Sequence, residues 1–187
     1  NINNSTYENK LDIKNIFKLP KNYIFFHYKN KLFNNSLNWN LDKTSNFINF
    51  LSTFSENLIF SSEIFDNEIN NFFGSKYTTF NYLNHQITKK ENKKIIFLKD
   101  IDGENLFDAI RGSDIVVAPE GLASHIAFYL KKKQLALMHF NFKNKNDYKD
   151  QMIACKEWFP PNNFNFTVLK KDFEKSITKV KYRLLNK

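Results

Sequence analysis

The chain has 187 residues, 42% of them hydrophobic, with 21 Phe, 8 Tyr and 2 Trp, which is enough for one domain with an aromatic-rich core. No apolar run approaches the ~20 residues that cross a bilayer. No signal-peptide pattern opens the sequence, and Cys155 as the single cysteine excludes an internal disulfide framework and a cysteine-based zinc site.

These features predict a reducing, cytoplasmic setting. The net charge of +9 also suits a peripheral position at the anionic inner face of a membrane. Charge of this size raises nucleic-acid binding as a hypothesis. Yet Arg111 and Arg183 are the only arginines among 28 basic residues, whereas nucleic-acid surfaces favour arginine forks. Lys, Asn, Phe, Ile and Tyr all have A/T-rich codons, so base composition accounts for the excess and no nucleic-acid partner is expected.

In chain order, residues 1–22 are polar and weakly periodic and read as an arm or linker with a short helical turn at 11–18. Tyr23–Tyr28 is an apolar run of strand length, followed by a polar loop carrying Lys29, Lys31, Asn38 and Trp39. Asp42 is the expected N-cap of a helix over 43–54, with Phe47, Ile48, Phe50, Leu51 and Phe54 at helical spacing. Asn57–Ser61 predicts a second strand, and 64–73 a helix stopped at Gly74. Residues 75–93 carry no legible pattern.

Ile95–Lys99 predicts a third strand, Gly103–Gly112 a helix, Ile115–Ala118 a fourth strand and Leu122–Lys131 a helix. Gln134–His139 is a fifth strand, 141–163 an irregular stretch, Phe166–Leu169 a sixth strand and 171–185 a closing helix. Short apolar runs alternating with helices are βαβ units. They predict an α/β fold: a Rossmann-like three-layer sandwich over residues 23–187, with a mostly parallel sheet of five or six strands. Neither a Gly-x-Gly-x-x-Gly fingerprint nor a Walker sequence is present.

Residues 110–130 carry the strongest signal. The strand Ile115–Ala118 ends in Pro119-Glu120-Gly121, and the next helix holds His125 in its first turn. A helix N-terminus placed beyond the carboxyl end of a parallel strand offers free backbone N–H groups and a positive dipole end to a phosphate. Open α/β sheets bind ligands along that edge.

The run Asp114-Ile-Val-Val-Ala-Pro-Glu-Gly-Leu-Ala-Ser-His-Ile-Ala resembles the signature of glycosyltransferase family 9, the lipopolysaccharide heptosyltransferases and their relatives. The family pattern is an apolar strand, Asp-Thr-Gly-x-x-His and an Ala-rich helix. Glu120 falls on its acidic position, Gly121 on the Thr, Leu122 on the Gly and His125 on the His. The stretch from Tyr23 through Trp39 to Asp42, and the order of elements to residue 187, resemble the same family's C-terminal domain more weakly.

The resemblance implies a single half of a GT-B enzyme, the half that binds the nucleotide-diphospho-sugar donor. It implies glycosyl transfer to a cell-surface saccharide or lipid-linked acceptor such as lipopolysaccharide, with no cofactor beyond the donor substrate. The acceptor site and catalytic base would belong to an N-terminal GT-B domain, for which this length is too short, so no catalytic residue is assigned. A partner domain or a homo-oligomer is expected to complete the site.

The implied donor-binding residues are Glu120, Gly121, Leu122, Ala123 and His125, with Lys29 or Lys31 neutralising the diphosphate and Glu63 or Glu68 at the ribose. Each has a plainer alternative: His125 as a hydrogen-bonded helix histidine, Glu120 as a complement to the helix dipole, Gly121 as turn geometry, the lysines as solvated side chains. His27, His125 and His139 share one edge but have no metal-ligand spacing, so no metal is expected. Two other functions stay open: a non-catalytic Rossmann-like binding or regulatory module, and a basic nucleic-acid-binding protein.

Overall fold

The computed structural model describes residues 17–62, 67–91, 94–139, 149, 150, 153 and 164–186. The helical turn expected at 11–18 and the irregular stretch 141–163 lie almost wholly outside these residues, as do Glu63 and Cys155.

The fold is α/β, with one eight-stranded sheet between two helical layers. The strands are β1 (Tyr23–His27), β2 (Asn57–Ser61), β3 (Thr78–Asn81), β4 (Gln86–Thr88), β5 (Ile95–Lys99), β6 (Ile115–Pro119), β7 (Lys133–Met138) and β8 (Phe164–Val168). Their spatial order is β4-β3-β5-β2-β1-β6-β7-β8, and every pairing is parallel except β3 with β4. Without the β3–β4 hairpin, the six remaining strands fall in the order 3-2-1-4-5-6 of a doubly wound nucleotide-binding sheet.

The sheet therefore has eight strands, not the five or six expected. The extra pair comes from residues 75–93. Thr78, Thr79 and Phe80 are buried beside β5, whereas all of β4 is exposed. Asn81 closes the hairpin by accepting from the Leu83 N–H at 3.0 Å, and His85 takes φ 57°. A four-residue strand paired with an exposed three-residue strand has too little apolar content to show a period. The end of the expected arm docks here: Phe17 is buried and stacks on Phe80 at 5.0 Å.

Alternation along β1 builds the two cores. Ile24, Phe26 and Tyr28 face α1 (Leu41–Leu51), α2 (Asn67–Lys76) and α5 (Phe173–Leu185). Tyr23 and Phe25 face α3 (Gly103–Gly112) and α4 (Leu122–Tyr129). Since β1 is buried on both faces, it reads as a continuous apolar run rather than an alternating one.

Helix ends differ slightly from expectation. Asn40, not Asp42, caps α1, its side chain accepting from the Lys43 N–H at 2.9 Å. Asp42 lies in the first turn and pairs with Lys76 at 2.9 Å. Helix α2 runs through Gly74 to Lys76, because Gly74 is inside the last turn rather than after it. No described helix is long and apolar enough to cross a membrane.

Candidate phosphate site at the sheet switch point

After β1 the chain winds toward β2 and β5, and from β6 it winds the other way to β7 and β8. β1 and β6 are neighbours, so their carboxyl ends form the switch point where such sheets hold ligands. Two segments meet there: the loop after β1, with Lys29 and Lys31, and the turn Glu120–Gly121 that opens α4.

The loop after β1 is held rigidly. A π-helical turn, Lys31–Ser36, buries Phe33 among Phe26, Tyr28, Trp39 and Phe47. Trp39 is fully buried, donates its indole N–H to the Lys171 carbonyl at 3.2 Å and packs on Phe173. The Lys29 carbonyl accepts from the N–H groups of Leu32 and Phe33 at 3.0 and 3.1 Å. With its backbone fixed, Lys29 extends across the switch point and donates to the Glu120 carbonyl at 3.2 Å. Lys31 is exposed at the start of the π turn.

The α4 turn is built for close approach. Gly121 has φ 145° and ψ −161°, a region essentially reserved for glycine. A Cβ at this position would lie 3.3 Å from the Lys29 ammonium nitrogen. The Ser124 hydroxyl accepts from the Gly121 N–H at 3.1 Å and donates to its carbonyl at 2.8 Å. The first helical bond runs from the His125 N–H to the Gly121 carbonyl at 3.0 Å. The N–H groups of Leu122, Ala123 and Ser124 have no intrahelical acceptor, as at any helix start. Ala123 and Ser124 are buried, while Glu120, Leu122 and His125 are exposed.

The structure thus brings Lys29, Glu120, Gly121, Leu122, Ala123 and His125 to one place. Lys31 lies on the same loop without a described contact to the turn. Glu68 is exposed in the first turn of α2, beyond the end of β2, and Glu63 is outside the described residues.

Two further features sit on this edge. His27 ends β1, and its Nδ1 lies 2.9 Å from the hydroxyl of buried Ser61 on β2. Burial, and secondarily the Lys29 charge, pull the His27 pKa down from 6.5 to about 4, so the ring is neutral at physiological pH. Farther along, Ser62 donates to Asn70 Oδ1 at 2.9 Å, and Asn70 donates to Asp100 at 3.2 Å. Sequence reasoning placed His27 at the strand end but gave it no role. The only available signal was its parity with Tyr23 and Phe25.

His139 follows β7 directly and donates from Nδ1 to the Leu169 carbonyl at 3.2 Å, separate from His27. Among the described residues no three His, Cys, Asp or Glu side chains gather as a metal site requires. Among the described residues, two shallow clefts lie elsewhere. One is at the amino ends of β6 and β7, between Asp114 and Lys131–Lys133, and the other runs along α5 between Lys170 and Lys179. No family model and no curated protein matches the sequence.

Proposed function

We propose that this chain is the donor-binding half of a GT-B glycosyltransferase of the family 9 kind, taking a nucleotide-diphospho-sugar at the β1–β6 switch point. The observation that carries this is the convergence of Lys29 on the Gly121 turn: a cation from the exit of β1 lies at the N-terminus of the helix that follows β6. A diphosphate seated there accepts from the N–H groups of Leu122 and Ala123 and pairs with Lys29. His125, exposed one turn into α4, is the further donor.

The chemistry follows from charge. In glycosyl transfer the bond from the sugar anomeric carbon to the diphosphate oxygen breaks. A new bond forms to an acceptor hydroxyl oxygen, whose proton passes to a base. Negative charge grows on the departing nucleoside diphosphate, and fixed N–H donors with a lysine stabilise it. The described residues supply donors for the leaving group and no assigned base. Donor binding without efficient transfer is therefore the expected behaviour of the chain alone.

The test is thermal unfolding with UDP, ADP, GDP and CDP, on the wild-type chain and on Lys29→Ala and His125→Ala. A ligand at about 100 times its dissociation constant adds roughly 2.7 kcal/mol. At roughly 2–4 °C per kcal/mol for this size, the rise is about 5–10 °C. A rise selective for one nucleotide and lost in Lys29→Ala supports the donor site. No shift with any of the four overturns it and leaves a non-catalytic module on the same fold.

A further inference from the structure

We propose that His27 is a second phosphate-contacting group of this site, neutral when the site is empty and protonated when a diphosphate occupies it. This rests on the donor-site reading above and extends it to the last residue of β1.

Placement comes first. Side chains alternate along a strand, and Tyr23 and Phe25 pack with Ala123 and Ala127 of α4. His27 continues that odd-numbered series, so it emerges at the last position of β1 on the α4 side of the sheet. Ser61, its register partner on β2, is on the same side, since Ile59 packs in the same core. His27 is two residues from Lys29, whose ammonium group reaches the Gly121 turn. The ring thus lies at the end of β1, on the side of the sheet that α4 covers and within the influence of the lysine charge.

The hydrogen bonding suits a group that changes charge. Nδ1 is engaged by the Ser61 hydroxyl at 2.9 Å, which leaves Nε2 as the ring nitrogen not used in that bond. A hydroxyl both donates and accepts. It donates to Nδ1 in the neutral ring and accepts from Nδ1–H in the imidazolium, so protonation keeps this bond. A backbone carbonyl in its place would accept only. Nε2 is left for a ligand in either state.

The electrostatics supply the drive. The empty site disfavours the imidazolium through burial and the neighbouring Lys29. The other titratable groups on the surrounding elements include Lys31 after β1, Glu120 and His125 at the β6–α4 turn, Glu68 and Lys76 on α2, Lys99 at the end of β5 and Asp100 after it. Lys29 is the one charged side chain among them acting on the ring. A diphosphate between Lys29 and α4 brings two or more negative charges, which offset the lysine and pair with the ring. Binding then draws a proton from solvent onto Nδ1, where the Ser61 hydroxyl turns to accept from it, while Nε2–H donates to the phosphate. The site gains a cation that it lacks when empty.

The experiment uses the full chain and whichever of UDP, ADP, GDP or CDP stabilises it. Calorimetric titration near pH 6, in two buffers of different ionisation enthalpy, gives the protons taken up per nucleotide. The expected result is up to about one more proton in the wild type than in His27→Gln. The ligand's own phosphate titration is common to both and subtracts. Wild-type affinity should also tighten by up to about tenfold per pH unit lowered, relative to that variant.

A second measurement needs no variant to fold: imidazole nitrogen NMR of the wild-type chain, which has four histidines. His27 should be neutral near pH 6 when free and protonated when nucleotide is bound. Binding that depends on Lys29 with no excess proton uptake and a neutral His27 overturns this proposal alone. No nucleotide binding at all overturns it together with the donor site.

Discussion

His27 also makes the empty domain sensitive to acid, by an amount that can be worked out. Its folded pKa is about 4, against an ordinary value of 6.5. Between those values the unfolded chain holds a proton that the folded chain does not. Protonation therefore favours unfolding, and the His27 contribution to stability falls as pH drops from about 6.5 toward 4 and is constant below that. From pH 7 to pH 5 the loss is about 2 kcal/mol, because each tenfold change in proton concentration across that window is worth roughly 1.4 kcal/mol. That is about 4–8 °C in Tm for a domain of this size. The measurement is Tm at pH 7 and pH 5 for wild type and His27→Gln, where glutamine keeps a polar partner for Ser61. Acid losses from other groups are common to both and cancel. The variant should lose about 4–8 °C less than the wild type. Parallel losses would refute the burial of a neutral imidazole at the end of β1.

Other outcomes follow from the same geometry. Gly121→Ala forces a side chain into glycine-only backbone and crowds the Lys29 ammonium group at 3.3 Å; it should cost about 1–3 kcal/mol in denaturant unfolding and weaken nucleotide binding as well. Lys29→Ala should abolish the nucleotide-induced rise in Tm while Lys31→Ala retains it, since only Lys29 reaches the α4 turn. Phe60→Ala removes a fully buried ring packed on Phe73, Tyr77 and Phe97, and urea unfolding should show a loss of about 3–5 kcal/mol. Asn40→Ala removes the α1 cap and should cost about 1 kcal/mol.

The parallel core was legible because each strand is buried on both faces. Tyr23–Phe26, Leu58–Ser61, Ile95–Leu98 and Val116–Pro119 are unbroken buried runs between helical patterns. Helix α3 was legible to the residue, since Leu106 and Ile110 are one turn apart on its buried side; that Asp102 caps it is seen only in the fold. The β3–β4 hairpin was not, because β4 has no buried residue and so no apolar signal. Thr78-Thr79-Phe80 followed by Asn81 was a β-propensity and turn cue, but one too short to stand alone. The cap of α1 was misplaced by two residues. Asn40 and Asp42 are both good capping types, and only the backbone decides which has extended ψ; Asn40 has ψ 172°.

The site shows the same division between pattern and register. That a helix N-terminus follows β6 is a local fact, written in Pro119-Glu120-Gly121 and the apolar residues after it. Which lysine serves it is a non-local fact. Lys29 and Lys31 are two residues apart, and composition cannot separate them. The separation comes from the parallel pairing of Phe25 with Val116 and Phe26 with Val117, which fixes where β1 ends relative to the β6 turn. It comes also from the buried Phe33 and Trp39, which fold the chain into a π turn directly after Lys29. Lys31 belongs to that turn and stays on the surface, while Lys29 precedes it and inherits the direction of the strand. The same register carries His27 to the sheet edge, two residues before Lys29 and on the same side. If Lys29 contacts the diphosphate, its odd-numbered neighbour on β1 is at the floor of that contact. A phosphate effect confined to Lys29, with His27 unresponsive in pKa, would mean that β1 ends its influence one residue earlier than its pairing with β2 implies.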